Sequence, residues 1–399
     1  MINEVMAQVA ANNSAIREMF EEGNRLRALF GPDKVFDFSL GNPYFPPPES
    51  VKTAVFEILN NMEPNAVHGY MANDGFPEVR RTVAEYINET FGDTLTGDDI
   101  IMTVGAAGGL NITLKALLNP GDEVLVSAPF FLEYGHYVRN YGGVLVPVPA
   151  KEEDGFMPDL EGIRSAITPK TKAFIINNPN NPTGVIYPAS VIQGLAAVLE
   201  EKQTEFGTSI YLISDEPYRE LAFDGAEVPY LPKFYRNTIV GYSWSKSLSL
   251  PGERIGYLAI PPRVDDYEAL RGAASVSGRV LGFVNAPALF QLVVQRCIRE
   301  SCDIAAYDRN RRLLYDGLTE LGYSCAKPQG AFYLWLKSPV ADEKEFVAET
   351  KKYNILLVPG TSFMCPGYVR VAYCVSPETI QGSMDGFAAM AKTYGLMKK

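Results

Sequence analysis

One lysine lies where it could do covalent chemistry. Lys246 comes just past residues 238–242, an apolar segment typical of a buried strand, and hydroxyl side chains flank it. The motif reads Ser243-Trp244-Ser245-Lys246-Ser247, and Arg254 follows it. A lysine in this setting is suited to form an imine with an aldehyde whose phosphate is bound nearby, which is the chemistry of pyridoxal phosphate. Alone the motif is weak, because most lysines are solvated surface residues.

An asparagine-rich loop follows a second apolar segment, residues 173–177. It reads Asn178-Pro179-Asn180-Asn181-Pro182-Thr183-Gly184. Pro182 biases Asn181 toward an extended conformation, which fixes the direction of its amide. The composition is also that of an ordinary turn, so a structural loop and a ligand-binding loop are both open.

A carboxylate ends a third apolar segment, residues 210–214. Asp215 precedes Glu216, Pro217 and Tyr218. A buried carboxylate without a partner is costly, so Asp215 needs a cation or several donors. It either caps a helix or pairs with a protonated ring nitrogen, and in the second case Tyr218 and Asn181 could donate to the ring oxygen.

Small residues follow a fourth apolar segment, residues 100–104. The run Gly105-Ala106-Ala107-Gly108-Gly109 opens a helical pattern. Small residues at a helix start allow an anion to approach the backbone N–H groups, where the helix dipole favours negative charge. Tight packing of the helix on a sheet is the alternative.

The elements that must position these residues alternate between short apolar strands and helices. This rhythm predicts an α/β fold with a mostly parallel seven-stranded sheet and helices on both faces. Residues bearing function in such a sheet gather beyond the carboxyl ends of the strands, where the motifs above fall. The predicted strands are residues 100–104, 123–127, 144–147, 173–177, 210–214, 238–242 and 256–260.

The ends of the chain have a different pattern. Residues 1–30 are predicted helical, as are 287–318 and 377–396, and short strands are predicted at 331–336, 355–358 and 368–372. We therefore predict a large cofactor-binding domain at residues 49–299. Residues 1–48 together with 300–399 should form a smaller α+β domain.

Bulk composition excludes several classes of protein. The 399 residues carry a net charge of −11, which is unlike a nucleic-acid-binding protein. No apolar stretch is long enough to span a membrane, and no signal peptide is evident. The two histidines lack metal-ligand spacing, so no metal is expected. Five cysteines without a Cys-x-x-Cys pair suggest reduced thiols in a cytoplasmic protein.

Taken together and in this order, the motifs resemble those of the class I aminotransferases, which are fold type I pyridoxal-phosphate enzymes. The resemblance rests on Asn-Asn-Pro-x-Asn-Pro-Thr-Gly, Ser-Asp-Glu-x-Tyr and Ser-x-Ser-Lys followed by Arg254, and it extends from Leu40-Gly41-Asn42-Pro43 to Arg370. It implies transfer of an amino group from an L-amino acid to a 2-oxo acid such as 2-oxoglutarate.

The resemblance also implies roles for individual residues. Lys246 would form the Schiff base with the cofactor and move the substrate proton, and Asp215 would pair with the pyridine nitrogen. The remaining cofactor contacts would be Tyr218 and Asn181 at the phenolic oxygen, Arg254, Ser243, Ser245, Ala106 and Ala107 at the phosphate, and Phe131 against the ring. Arg370, with Gly41 and Asn181, would bind the substrate carboxylate. Tyr70 would reach the phosphate of a neighbouring subunit, which implies a homodimer with shared active sites.

Substrate identity and the exact reaction stay open at this level. No lysine follows the glycine-rich turn to meet a distal carboxylate, and Arg279 is only near the region that could supply one. Aromatic residues near the motifs suit an apolar substrate or the protein core equally well. A β C–S lyase, an aminocyclopropane-carboxylate-synthase-like enzyme and a non-catalytic pyridoxal-binding regulator are the alternatives, since the cofactor serves all of them.

Overall fold

The computed structural model describes residues 2–11 and 15–397. The strands are β1 (Phe36–Asp37), β2 (Ile100–Thr103), β3 (Glu123–Ala128), β4 (Val144–Pro149), β5 (Thr171–Asn177), β6 (Tyr211–Asp215), β7 (Thr238–Ser243), β8 (Gly256–Ala259), β9 (Cys325–Ala326), β10 (Tyr333–Lys337), β11 (Ile355–Leu356), β12 (Val358–Pro359) and β13 (Tyr368–Ala372). The helices are α1 (Glu4–Ala11), α2 (Ala15–Phe30), α3 (Glu49–Asn61), α4 (Pro64–His68), α5 (Pro77–Phe91), α6 (Gly105–Leu117), α7 (Glu133–Arg139), α8 (Leu160–Ala166), α9 (Ala189–Phe206), α10 (Trp244–Ser247), α11 (Tyr267–Val280), α12 (Ala288–Arg296), α13 (Ile304–Glu320), α14 (Glu343–Lys351) and α15 (Pro377–Thr393).

Seven strands form one large sheet in the order β2-β8-β7-β6-β5-β3-β4. The pairs from β7 through β4 are all parallel, whereas β8 runs antiparallel to both of its neighbours. This confirms the predicted α/β fold with a mostly parallel sheet. All seven predicted strands form within one or two residues of their expected bounds, because runs of apolar residues suit strands that are buried on both faces.

Helices cover both faces of this sheet. Phe174 of β5 packs in a core with Ile163 of α8 and Leu195 of α9. Its neighbour Ile175 points the other way, into a core with Leu110 of α6. The strand alternation therefore fills two cores at once, and the carboxyl ends of the parallel strands are left at one open edge.

The remaining strands form two small sheets. One is antiparallel, in the order β12-β13-β10-β9, and the other pairs β1 with β11 in parallel. The strand predicted at residues 355–358 is divided between these two sheets. Along the chain, Met19, Leu26 and Phe38 pack in one core with residues 302–391. This packing supports the proposed small domain, whose boundaries stay a prediction.

One helix prediction needs correction. The helix predicted at residues 287–318 is interrupted between α12 and α13. Cys297 ends α12, the backbone N–H of Cys302 donates to Ser247 O at 2.6 Å, and Asp303 caps α13 by accepting from Ala306 N. The helix predicted at residues 1–30 corresponds to α1 and α2, and residues 12–14 between them lie outside the described part.

Two further expectations can be compared with the structure. All five cysteines are free thiols, and Cys297, Cys302 and Cys374 are buried. No helix in residues 2–11 or 15–397 combines the length and the apolar character needed to cross a bilayer.

Candidate active site

The site lies where three adjacent parallel strands end. Asn177 of β5 is opposite Asp215 of β6, and Asp215 is opposite Gly241 of β7. Chain leaving β7 enters the short helix α10, which carries Lys246. Because neighbouring strands end in register, residues far apart in sequence meet at one edge of the sheet.

A cavity of about 300 Å³ occupies this edge. Every residue predicted for the site except Tyr70 lines it: Gly41, Ala106, Ala107, Phe131, Asn181, Asp215, Tyr218, Ser243, Ser245, Lys246, Arg254 and Arg370. Other lining residues are Leu110, Tyr134, Tyr137, Asn177, Pro217, Pro251 and Tyr333. Residues from separate sequence motifs therefore meet in one space.

Lys246 is held inside the cavity rather than on the surface. Its Nζ donates to Gly41 O at 2.5 Å and lies 5.1 Å from the centre of the Phe332 ring. Burial lowers the pKa of Lys246 to about 8; Cys374 opposes this shift, and the positive charge of Arg370 adds to it. About one tenth of the amine is therefore neutral at pH 7, far more than for a free lysine, and the neutral form is the one that a nucleophile or base requires.

Asp215 presents one free oxygen. Tyr134 donates its hydroxyl to Oδ2 at 2.5 Å, whereas the buried Oδ1 has no partner. The chain after β6 forms turns, so Asp215 is not a helix cap. Burial raises its pKa to about 7, the hydrogen bond from Tyr134 acts in the opposite direction, and Glu216 adds to the rise. A positively charged donor beside Oδ1 would satisfy this carboxyl.

Small and hydroxyl-bearing residues form one end of the cavity. Ser243 and Ser245 share a hydrogen bond of 2.7 Å between their hydroxyls. Ala106 and Ala107 lie in the first turn of α6, where backbone N–H groups are free to bind an anion. Arg254 adds positive charge, and its guanidinium packs against Gly105, where an added Cβ would lie 2.7 Å from Nη2. This end suits a phosphate group.

The glycine-rich run also serves packing. An added Cβ at Gly108 would lie 2.5 Å from Val104 Cγ2, and one at Gly109 would lie 3.1 Å from Leu258 Cδ2. Both readings of the motif thus apply, to different residues. The glycines allow α6 to approach the sheet, and Ala106 and Ala107 line the cavity.

The asparagines of the asparagine-rich loop also have different roles, some structural and one at the cavity. Asn178 exchanges two hydrogen bonds with the backbone of Tyr187, and Asn180 accepts from Thr183 Oγ1 at 2.7 Å. Asn181 alone of the loop's three asparagines lines the cavity, and its backbone N–H donates to Asn177 Oδ1 at 2.7 Å. The structural reading holds for Asn178 and Asn180.

Arg370 lines the same cavity and is only 2% exposed. Nη1 donates to Asn181 Oδ1 at 3.0 Å and Nη2 to Ser39 O at 2.7 Å, while Nε has no partner. The guanidinium lies 4.5 Å from the centre of the Tyr333 ring. Arg370 is therefore not an arginine on the surface of its strand. Its contacts are neutral, so the buried charge is suited to bind a carboxylate.

Sequence reasoning missed three contributors. The sequence marks Tyr134 only as one of the aromatic residues near the motifs, because its hydrogen bond to Asp215 depends on the packing of α7 over the strand ends. Asn177 donates to the backbone O of Asp215 at 2.9 Å, and its position at the end of a strand was the available signal. Tyr333 shares a hydrogen bond of 3.0 Å with Tyr218, and no local motif marked it.

Tyr70 and Arg279 lie outside the cavity. Tyr70 is 96% exposed and lines a separate shallow groove with Phe283 and Asn285. Arg279 is exposed on α11, on the same helix as the exposed apolar residues Val276 and Val280. Within one subunit neither residue contributes to the site.

Comparison with known proteins shows the family to which this chain belongs. The sequence model of the aminotransferase class I and II family matches residues 33–386. The chain belongs to the class I aminotransferases. It is 35% identical to the aspartate/prephenate aminotransferase of Thermus thermophilus, over 96% of this chain and 95% of that protein. It is 30% identical to the aspartate aminotransferase of Pyrococcus horikoshii, over 93% of each chain.

Solved structures agree with this class I aminotransferase assignment. An aminotransferase from Eubacterium rectale has 44% identity and a TM-score of 0.96, and 99% of each chain is covered. The aspartate aminotransferase of Thermus thermophilus with maleate has 32% identity and a TM-score of 0.84, with 96% of this chain and 98% of that one covered. The protein is therefore a transaminase with the fold of type I pyridoxal-phosphate enzymes.

Class I aminotransferases use pyridoxal 5′-phosphate, and the cavity fits that cofactor. The unpartnered Oδ1 of Asp215 suits a pyridine N–H, and the serines, Arg254 and the start of α6 suit the phosphate. Lys246 lies in the same space with a pKa near 8, as covalent attachment to an aldehyde requires. When bound, the cofactor supplies the electron sink that stabilises negative charge at the substrate α-carbon.

Proposed function

We propose that this transaminase moves the amino group of an L-amino acid to a 2-oxo acid, with 2-oxoglutarate as acceptor, and that Lys246 is the residue that bonds covalently to the cofactor. The observation that carries the proposal is a lysine of lowered pKa that lines one cavity together with anion-binding residues and a buried arginine. Covalent attachment, proton transfer and carboxylate binding then take place in one cavity.

Arg370 orients the substrate. Its buried guanidinium binds the α-carboxylate, which supplies the negative charge that Asn181 Oδ1 and Ser39 O do not. Asn181 accepts from Arg370 through Oδ1, so its Nδ2 group is left to donate to a ring or substrate oxygen. Holding the carboxylate at this end directs the α-carbon toward Lys246.

Lys246 then works as the base. When it is not bonded to the cofactor, its amine would be free to take a proton from the substrate α-carbon and to give it back. A pKa near 8 is closer to neutral pH than that of a free lysine, which favours both taking up and releasing the proton. Gly41 O, which accepts from Nζ, holds the amine near the carboxylate end.

Asp215 and Tyr218 tune the bound ring. Asp215, with its unpartnered Oδ1, would accept from the pyridine N–H and favour protonation of that nitrogen, and the positive charge would in turn favour the ionised form of Asp215. Tyr218, whose pKa is raised well above its ordinary value by burial, stays a neutral donor to the phenolic oxygen. Ser243, Ser245, Arg254 and the N–H groups of α6 bind the phosphate.

We also propose that the active enzyme is a homodimer. The side chain of Tyr70 is 96% exposed, so its phenol is free to insert beside the phosphate-binding residues of a second copy of the chain. Val276 and Val280 are exposed apolar residues that an interface would cover. The assignment of residues 49–299 to the large domain is part of the same proposal.

An amino-donor panel with 2-oxoglutarate tests the reaction type. We expect glutamate to form from at least one of aspartate, an aromatic amino acid or alanine. When the acceptor is omitted, we expect at most one equivalent of the donor's 2-oxo acid per active site, because the amino group then stays on the cofactor. Repeated release of pyruvate without an acceptor would instead indicate the β-lyase alternative. The panel also shows which donor side chain the site accepts. Among the described residues, the cations that line the cavity are Lys246, Arg254 and Arg370, and each of them already has a proposed role.

A further inference from the structure

We propose that Tyr134 is a positioning residue for Asp215. Its phenol holds one carboxylate oxygen, favours the ionised carboxyl and leaves the second oxygen alone to face the ring nitrogen of the cofactor. The proposal rests on the proposed function of this cavity, and it assigns to α7 a part in catalysis that no sequence motif indicated.

The phenol is fixed by its surroundings. Tyr134 is 1% exposed and Asp215 is 5% exposed, so water does not compete for the 2.5 Å hydrogen bond between them. Phe130 stacks parallel to the Tyr134 ring at 6.3 Å between centres, and Phe131 meets it edge-on at 5.6 Å. With two rings packed against it, the hydroxyl has one available direction, toward Oδ2.

The remaining contacts of Asp215 leave a single free acceptor. Its backbone O accepts from Asn177 Nδ2 at 2.9 Å, which fixes the end of the strand. Its Oδ1 lies buried without a partner at the cavity wall. A carboxylate with one oxygen occupied can rotate little, so Oδ1 is already aimed when the cofactor arrives, and less ordering is needed on binding.

The charge balance shows why a donor is needed here. Burial is the main influence that raises the pKa of Asp215, and the neighbouring Glu216 acts in the same direction. The phenols of Tyr137 and Tyr218 face the same carboxyl, and Lys246 and Arg254 line the same cavity. The hydrogen bond that Tyr134 donates to the carboxyl opposes this increase in the pKa of Asp215. A donated hydrogen bond favours the ionised form.

The test is Tyr134→Phe, which removes the hydroxyl and keeps both ring contacts. The carboxyl titration of Asp215 is followed in cofactor-free enzyme by ¹³C NMR with labelled aspartate, using Asp215→Asn to assign the signal. We expect the midpoint to move upward by about one pH unit, since the ionised form loses its donor. At neutral pH we also expect the dissociation constant of pyridoxal phosphate to rise about tenfold.

Tyr141→Phe is the matched control. The Tyr141 hydroxyl donates to Asn111 Oδ1 at 2.9 Å, so the same atom and one hydrogen bond are lost just beyond α7 without touching Asp215. We expect an unchanged Asp215 midpoint. An equal shift in both variants, or no shift in Tyr134→Phe, would overturn the proposal while leaving cofactor attachment to Lys246 intact. Loss of the lysine adduct in wild type would instead refute the proposed function.

A measurement on the unaltered chain covers the case in which Tyr134→Phe does not fold. With [¹³Cζ]tyrosine, the Tyr134 signal, assigned by its change in Asp215→Asn, should titrate with the same midpoint as the Asp215 carboxyl. A Tyr134 signal that stays constant across that midpoint shows that the two groups are not coupled, and the proposal fails.

Discussion

Lys246 and Asp215 show the same physical effect on groups of opposite charge. Burial disfavours whichever form is charged, so it lowers the pKa of Lys246 to about 8 and raises that of Asp215 to about 7. Both groups can therefore change protonation near neutral pH. For the amine this provides a nucleophile, and for the carboxyl it creates a need for a positive partner.

Replacing Lys246 by alanine should abolish turnover and the covalent adduct with pyridoxal phosphate. Borohydride reduction followed by mass spectrometry detects the adduct directly. Lys115→Ala is the control, because Lys115 lies on α6 with its Nζ 5.7 Å from the centre of the Tyr141 ring, and it does not line the cavity. An adduct retained after Lys246→Ala would mean that another amine is the attachment site.

The lowered pKa of Lys246 also has a pH signature. Only the neutral amine attacks an aldehyde, so the rate at which cofactor-free enzyme captures pyridoxal phosphate should rise about tenfold per pH unit below pH 8. Above pH 8 the rate should level off, since the amine is already neutral. Stopped-flow absorbance measures this, and a rate that continues to climb toward pH 10 contradicts the lowered pKa.

Removing the carboxyl of Asp215 should cost several orders of magnitude in kcat. Asp215→Ala takes away the acceptor that keeps the pyridine nitrogen protonated, so the electron sink weakens. Asp215→Asn keeps the shape but not the charge and should be nearly as slow. Steady-state kinetics with saturating cofactor measure kcat for both variants. A near-normal kcat in either variant would show that another group keeps the pyridine nitrogen protonated.

At the scale of elements, the site depends on where strands end and on one close approach. Parallel strands β5, β6 and β7 end in register, and the loops that follow them converge. The segment that follows β1 completes the site, because it carries Gly41. Gly41 passes so close to β10 that an added Cβ would lie 2.0 Å from the hydroxyl of Tyr333, which in turn shares a hydrogen bond with Tyr218.

Gly41→Ala should therefore damage both packing and catalysis. Tyr333 must move, which costs about 1–3 kcal/mol of stability and displaces the hydroxyl of Tyr218. We expect kcat/KM to fall at least about tenfold, the equivalent of about 1.4 kcal/mol. Gly272→Ala is the control, since nothing lies within 4 Å of its added Cβ, and helix propensity favours alanine there. Normal kinetics and normal unfolding for Gly41→Ala would disprove the close contact.

At the scale of the whole molecule, the exposed Tyr70 makes a prediction about subunit mixing. Inactive Lys246→Ala and impaired Tyr70→Ala chains should restore activity when co-expressed, because a mixed dimer has one site with both residues intact. Random pairing gives about one quarter of wild-type activity. The control pairs Lys246→Ala with a chain that carries both changes, and it should stay inactive.

A mixed sample with only the average activity of its parents would rule out shared sites. Sedimentation of the wild-type chain gives an independent measurement of the oligomeric state. The two results separate a dimer that shares its sites from one that merely associates.

Local sequence determined much of this protein. The lysine after a buried strand, the carboxylate after another and the glycine-rich helix start each marked its own position, because strand ends and helix starts are decided by apolar runs and small residues. The order of the motifs indicated the family, and the βα rhythm predicted the sheet. These features depend on neighbours along the chain, so they can be read without coordinates.

Only the tertiary structure decided which groups touch. The phenol of Tyr134 reaches Asp215, Tyr333 lies against Gly41 and Tyr218, and Arg370 bonds to Asn181, across separations in sequence that no local pattern encodes. The break between α12 and α13 likewise depends on Cys302 bonding to the backbone of Ser247. Side-chain direction and burial set these contacts and the pKa shifts that follow, and both arise only when distant segments pack together.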